Sequence, residues 1–297
     1  MSETRYRYPE AIVSTEWLAA HLGDPALRGS LRIYDCTTYL ALNDGPGRPY
    51  TIVSGRADYE AAHIPGSGFL DLQEQLSDQA SRFRFTMPPA EELAARLGRL
   101  GLGDGCRAVL YSRKSPMWAT RIWWMLRAVG FDDAALLDGG WDKWAAEGRP
   151  TSSEPSEYPP ATLTAKPRDG LFVGPDSVEA AIGDAGVCTI NALSPELHRG
   201  ESPRYGRPGR IPGSVNVPAA SLVDPETKEL AAADAAAAAF KAVGAEPGKR
   251  TIAYCGGGIA ATLDAFLLHQ LGYEDIAVYD NSMSEWATDE RRPMETG

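Results

Sequence analysis

Thr251-Ile252-Ala253-Tyr254-Cys255-Gly256-Gly257-Gly258-Ile259-Ala260-Ala261 reads as a buried strand, a turn of three glycines and the start of a helix. A cysteine at that junction faces backbone N–H groups and the positive end of a helix dipole, and both favour a thiolate over a thiol. Successive glycines let the loop curl around an anionic group without side-chain clashes. Cys255 is therefore the candidate nucleophile, and Gly256, Gly257, Gly258, Ile259 and Ala260 form the candidate cradle for its charge. The competing reading is a structural cysteine beside a tight strand–helix turn; the glycine run favours the reactive one.

Working outward, the chain repeats itself. Val109-Leu110-Tyr111-Ser112, with the helix that follows, parallels Ile252-Ala253-Tyr254-Cys255 and its helix. Gly130-Phe131-Asp132-Asp133 parallels Gly272-Tyr273-Glu274-Asp275, and Leu137-Asp138 with Trp144 parallels Tyr279-Asp280 with Trp286. Upstream, His63-Ile64-Pro65-Gly66-Ser67 parallels Arg210-Ile211-Pro212-Gly213-Ser214. The period is far too long for a solenoid, so these are two copies of one α/β domain of about 130 residues. Ser112 stands where the second copy has Cys255, so only one copy carries the nucleophile.

In this order, twice, these motifs resemble the tandem-domain sulfurtransferases, the group of thiosulfate sulfurtransferase (rhodanese) and 3-mercaptopyruvate sulfurtransferase. The resemblance runs over residues 10–290 or so and includes Glu60-Ala61-Ala62-His63-Ile64-Pro65-Gly66, Arg121-Ile122-Trp123-Trp124 and Gly209 through Pro218. It implies a rhodanese-like domain without the cysteine (residues 10–149), a linker (150–170) and a catalytic rhodanese domain (171–297).

Composition fits that expectation. The chain has 297 residues, 43% of them hydrophobic, enough for two cores of ordinary domain size. A net charge of −11 argues against a nucleic-acid surface, which needs clustered Lys and Arg. No apolar run is of membrane-spanning length, and Met1-Ser2-Glu3-Thr4-Arg5-Tyr6 lacks a signal core. Four cysteines without close pairs suggest neither a disulfide framework nor a zinc site. The expectation is a cytoplasmic enzyme with a free thiol, no metal and no organic cofactor.

Along the chain, Ser14 caps a helix over Thr15–Leu22, and a strand covers Leu31–Asp35. An irregular Gly- and Pro-rich stretch is expected up to Arg56. Helix Ala90–Leu100, strand Ala108–Ser112 and the Trp-rich helix 118–129 follow, with Trp118, Trp123 and Trp124 read as core or domain-interface residues. Prolines in 150–168 mark the linker. The second copy has a helix from Gly174-Pro175-Asp176-Ser177, strand Val187–Asn191, a long loop Ser194–Arg210 and an Ala-rich helix Ala231–Ala239. Strand Thr251–Tyr254, helix Ile259–Leu271 and strand Ile276–Tyr279 complete a mostly parallel sheet with helices on both faces. Its site belongs at the carboxyl ends of the strands, where Cys255 lies.

The chemistry expected of such a site is double displacement: the thiolate takes the outer sulfur of a small anionic donor and passes it from a persulfide to a thiol or cyanide acceptor, thioredoxin among the thiols. Thiosulfate-preferring relatives tend to carry Arg and Lys just after the cysteine, whereas this loop has Gly256 and Gly257. Mercaptopyruvate-preferring relatives commonly read Cys-Gly-Ser/Thr-Gly-Val-Thr; here Gly257 and Ala260 lack the two hydroxyls. The resemblance also places donor-binding arginines before the Arg210-Ile211-Pro212-Gly213 turn. Arg199 corresponds best, with Arg204 or Arg207 as the second, and a guanidinium fork suits a carboxylate or thiosulfonate. The alternative for each is a solvated surface arginine.

Asn191 stands where relatives usually have Asp, with Leu193 where an Arg is often found. His63 is read as a turn-stabilising hydrogen bond, and Cys36, Cys106 and Cys188 as structural. A phosphatase of the Cys-x5-Arg type is disfavoured because Ala261 holds that arginine's place. A catalytically weak binding or regulatory module is the remaining rival.

Overall fold

The computed structural model describes residues 4–27, 29–43 and 49–297. The first half runs β1 (Ile12–Val13), α1 (Thr15–His21), β2 (Leu31–Asp35), β3 (Thr38–Leu42), β4 (Tyr50–Ser54), α2 (Arg56–Ala61), β5 (Gly68–Phe69), α3 (Ala90–Arg99), β6 (Arg107–Tyr111), α4 (Met117–Ala128), β7 (Ala134–Leu137) and α5 (Gly140–Ala146). The second runs β8 (Phe172–Val173), α6 (Pro175–Ala180), β9 (Val187–Asn191), α7 (Pro195–Arg199), β10 (Val215–Asn216), α8 (Ala233–Ala242), β11 (Arg250–Tyr254), α9 (Ala260–Gln270), β12 (Ile276–Tyr279) and α10 (Ser282–Trp286).

Each half builds a parallel five-stranded sheet. The orders are β1-β7-β6-β2-β5 and β10-β9-β11-β12-β8, the same arrangement once the repeat is taken into account. Helices cover both faces, so β6 and β11 are buried along nearly their whole length. The chain is thus a pair of tandem α/β domains of one topology.

The repeated turn motif has a structural cause. Tyr111, at the end of β6, holds Ile64 N and Ser67 Oγ with its hydroxyl (3.3 and 2.9 Å); Tyr254, at the end of β11, holds Ile211 N and Ser214 Oγ (3.2 and 2.8 Å). Trp144 and Trp286 are both fully buried, and each indole N–H donates to a proline carbonyl, Pro150 and Pro293, at 2.8 Å.

The two halves meet through equivalent surfaces. Helix α4 packs against α9, where the hydroxyls of Thr120 and Thr262, matching positions of the repeat, lie 2.9 Å apart. Trp123 sits edge-on to Phe266 at 4.8 Å. Asp138, after β7, accepts from Leu230 N at 2.8 Å, and Asp280, after β12, accepts from Met87 N at 2.7 Å. The contact is therefore close to a two-fold, isologous one. Being covered by its own sheet and by the partner helix, α9 is buried from Ala261 to Gln270. Asp264 lies within it without a hydrogen-bond partner, and burial pushes its carboxyl far up.

Two expectations change, and the expected linker segment is seen to be packed. The stretch before Arg56 is not wholly irregular: β3 and β4 form an antiparallel hairpin, with Thr38 opposite Ser54 and Leu42 opposite Tyr50. Residues 44–48 of that stretch lie outside the described residues. The loop from Ser194 contains α7, opened by Pro195 and closed by Gly200 in the left-handed conformation (φ 83°). The proline-rich segment between the sheets is docked rather than free: the Tyr158 hydroxyl donates to Gly66 O at 2.7 Å and accepts from Ile33 N at 2.8 Å.

Candidate active site

Cys255 follows β11, the middle strand of the second sheet, and is 2% exposed. The loop after it is held by its carbonyls. Met283 N and Ser284 N, at the start of α10, donate to Cys255 O and Gly256 O at 3.0 and 2.8 Å. The Ser284 hydroxyl adds a second bond to Gly256 O at 2.6 Å. Arg121 Nη1 donates to Gly258 O at 3.1 Å, and the Thr262 hydroxyl to Ile259 O at 2.7 Å. Cys255 N is itself donated to Ser282 Oγ at 3.0 Å. By contrast, no described residue accepts from the N–H of Gly256, Gly257, Gly258, Ile259 or Ala260. The carbonyls of the loop are thus tied back while its donors stay free beside the cysteine at the N-terminus of α9, an arrangement suited to an anion.

The glycines are required by what crowds them. At Gly258 (φ 71°) a Cβ would collide with Asp280 O as well as adopt a left-handed backbone. At Gly256 a Cβ would strike the Tyr205 hydroxyl, and at Gly257 it would lie 3.2 Å from the Tyr50 hydroxyl and 3.8 Å from Ser284 Oγ. The Tyr205 and Tyr50 rings arrive from different domains and close over the loop. Burial, together with the charge of the neighbouring Cys255, pushes both phenols above their ordinary range.

These tyrosines and Ser284 form the floor of a cleft of about 670 Å³ between the domains. Its walls are the β3–β4 hairpin, Asp71, Gln73 and Glu74, the segment Arg82-Phe83-Arg84, and Thr288. Arg82 and Arg84 are exposed and are the cations of the described lining. Asp71 accepts from the Ser54 hydroxyl at 2.7 Å and from Glu74 N at 2.9 Å, which occupies its carboxylate. Among the described residues no group of His, Cys, Asp and Glu could hold a metal ion.

The expected donor arginines are scattered. Arg199 ends α7 and pairs with Glu201 at 2.7 Å and Glu196 at 3.9 Å, outside the cleft lining. Arg207 is engaged as a clamp on the segment after α10: its guanidinium donates to the carbonyls of Trp286, Ala287, Asp289 and Arg292 at 2.6 to 3.1 Å. Arg204 is exposed and close enough to Tyr205 for its charge to act on that phenol. Of the three, Arg204 alone is unpaired among the described residues; it lies beside Tyr205 and, like Arg199, outside the cleft lining.

The remaining sequence candidates have structural partners. His63 is buried; its Nδ1 lies 2.7 Å from Tyr59 O and its ring stacks on Tyr59. Asn191 Oδ1 accepts from Leu193 N at 2.9 Å, while its counterpart Asp35, also buried, has Arg113 at 3.7 Å. Burial raises the thiols of Cys36 and Cys188. Ser112 donates its hydroxyl to Ser115 O at 2.6 Å beside a void of about 10 Å³, so the first domain has no open site there.

Comparison with known proteins follows the same lines. The family model "Rhodanese-like domain" matches residues 14–147 and 198–289. Over 93% of this chain and 91% of the relative, the sequence is 31% identical to 3-mercaptopyruvate sulfurtransferase of Homo sapiens. Over 96% and 94%, it is 30% identical to thiosulfate sulfurtransferase of Rattus norvegicus. The crystal structure of SseA from Escherichia coli, a 3-mercaptopyruvate sulfotransferase, superposes with a TM-score of 0.77 at 28% identity, covering 92% of this chain and 98% of that one.

Proposed function

The chain belongs to the rhodanese-like domain family and is a sulfurtransferase, and on that footing we propose that it carries sulfane sulfur as a persulfide on Cys255. The observation that supports this most is the row of free N–H groups from Gly256 to Ala260 beside a thiol at a helix N-terminus. The donor is thiosulfate or 3-mercaptopyruvate. The Cys255 thiolate attacks the donor's terminal sulfur, a sulfur–sulfur bond forms, and sulfite or the pyruvate carbanion departs with the electron pair. A thiol or cyanide acceptor then attacks the outer sulfur and returns Cys255 as thiolate. The free N–H groups stabilise negative charge on sulfur in both steps without a dedicated base. Arg204, beside Tyr205, together with Arg82 and Arg84 on the cleft wall, holds the anionic end of the donor; Arg199 and Arg207 serve other contacts. Thioredoxin and other protein thiols are acceptors of the right chemistry, in a reducing compartment such as the cytoplasm. No helix of the described residues is long and apolar enough to cross a membrane.

Mass spectrometry of the intact protein after donor treatment tests the proposal. One added sulfur is expected on wild type and on Cys36→Ser, Cys106→Ser and Cys188→Ser, and none on Cys255→Ser. A sulfur retained by Cys255→Ser would move the site elsewhere. Persistent absence from wild type would instead favour a binding module, the reading to which the loop's lack of cations lends weight.

A further inference from the structure

Resting on the sulfurtransferase reading, we propose that Tyr205 is the proton donor to carbon when the sulfur donor is a β-mercapto-α-keto acid. In this role it takes the place of the hydroxyls that the loop lacks at Gly257 and Ala260.

Three hydroxyls surround the loop, and they are not equivalent. Ser284 has one proton, and it is committed to Gly256 O. The Tyr50 hydroxyl approaches Gly257, one residue further from the cysteine, with Ser284 as its polar neighbour. Tyr205 is different: its hydroxyl abuts Gly256, faces the cleft, and has no acceptor among the described residues. It is the free O–H next to the cysteine. No histidine lines the described cleft, and the carboxylate of Asp71 is occupied by two donors. Burial and the nearby Cys255 charge keep the Tyr205 phenol protonated well beyond the ordinary phenol range, so it arrives at the reaction carrying its proton.

The two donors place opposite demands on such a group. With a mercaptoketo acid, the Cys255 thiolate attacks the thiol sulfur, the carbon–sulfur bond breaks, and its electron pair leaves on carbon as an enolate. The enolate takes the phenol proton and becomes the methyl ketone. The new persulfide is still S–H at its outer sulfur, and that proton returns to the phenolate, leaving Cys255 as a persulfide anion. Atoms and charge balance with no outside reagent. With thiosulfate the leaving group is sulfite, which departs with the electron pair on sulfur and needs no proton at that step. Tyr205 therefore serves one donor and is idle with the other.

The test is single-turnover formation of the Cys255 persulfide, followed separately with 3-mercaptopyruvate and with thiosulfate, in wild type, Tyr205→Phe and Tyr50→Phe. The phenylalanine ring preserves the packing on Gly256, and a thermal melt confirms the fold. For Tyr205→Phe, a loss on the order of 10²-fold is expected with mercaptopyruvate and under about threefold with thiosulfate. Tyr50→Phe is expected to change either rate by less than about tenfold. Equal losses with both donors would show that Tyr205 shapes the loop instead, and an undiminished mercaptopyruvate rate would show that its proton is not used. A mercaptopyruvate loss confined to Tyr50→Phe would transfer the role to that residue and overturn the assignment. A wild type that reacts with thiosulfate alone refutes the proposal while sparing the sulfurtransferase reading; one that forms no persulfide with either donor refutes both.

Discussion

Arg121, wholly buried on α4 of the first domain, donates to Asp280 of the second at 2.6 Å. The same guanidinium bonds Gly258 O in the cysteine loop and Phe85 O, and its plane lies over the Phe172 ring at 4.6 Å. Asp280 in turn accepts from Met87 N. In the repeat, Asp138 makes the matching bond to Leu230 N, but the position matching Arg121 is Leu263. Arg121 thus breaks the two-fold symmetry by delivering a buried cation to the one loop that carries a nucleophile. The first domain contributes to the site through this side chain, through Tyr50 and through the cleft wall that carries Arg82 and Arg84.

Removing one partner of that pair leaves a buried charge uncompensated. Arg121→Met is expected to cost about 3–5 kcal/mol in urea unfolding. In the Asp280→Asn background the same change is expected to cost at least 1 kcal/mol less, because the charge to be stranded is gone. Additive costs in the double-mutant cycle would mean that the pair is not coupled.

The arginines separate by kinetics. Arg204→Ala should raise KM for the anionic donor about tenfold with little change in kcat, the loss of one charge-assisted contact of about 1.4 kcal/mol. Arg199→Ala should stay within about threefold, since its guanidinium is satisfied by Glu201 and Glu196 on the surface. Attack of cyanide on preformed persulfide should be unaffected by either. The opposite ranking would place the donor's anion against α7.

Ser112→Cys is not expected to create a second active site. The Ser112 hydroxyl is turned to Ser115 O, and the adjoining void of about 10 Å³ admits nothing larger than a water. Pro116 also removes one N–H from the loop. Sulfur transfer by a Ser112→Cys, Cys255→Ser double variant would contradict this.

His269 links stability to pH. It is buried at the domain interface, stacked on Tyr8 at 4.4 Å, and burial with the nearby Arg127 lowers its pKa to about 4. A depressed base contributes stability above its unfolded pKa, near 6.5, and loses it as pH falls through 4. His269→Gln should therefore lose less stability than wild type over that range, by on the order of 2 kcal/mol, in denaturant unfolding at a series of pH values. His198, lowered to about 4, acts in the same direction, and Asp138, raised to about 6, in the opposite one. Both occur in the two proteins and cancel in the difference. Parallel pH curves would rule out the link.

Much of this architecture is legible in the chain because repetition reveals itself locally. The paired tyrosines, the Ile-Pro-Gly-Ser turns and the tryptophans after the last strands occur twice, and each makes the same bond in both places. The β3–β4 hairpin is not legible there because its strands flank a Gly- and Pro-rich segment and have no counterpart in the second copy, although Thr51-Ile52-Val53 is a β-branched run. Arg207 could not be told from Arg204 by position, since what differs is which carbonyls come within reach after α10 has folded back. Tyr205 and Tyr50 stand 155 residues apart in this chain, and nothing local announces that they converge on two adjacent glycines.

That convergence also sets an order on how the loop can change over generations. While Tyr205 abuts Gly256, an arginine following the cysteine has no room, and while Asp280 O abuts Gly258, neither does any side chain there. Each glycine is conditional on a residue far away in the sequence. A lineage moving toward a cationic loop must first lose the aromatic ring and pass through an intermediate with neither the ring nor the charge. The uncharged character of the loop is thereby shielded from single-step drift.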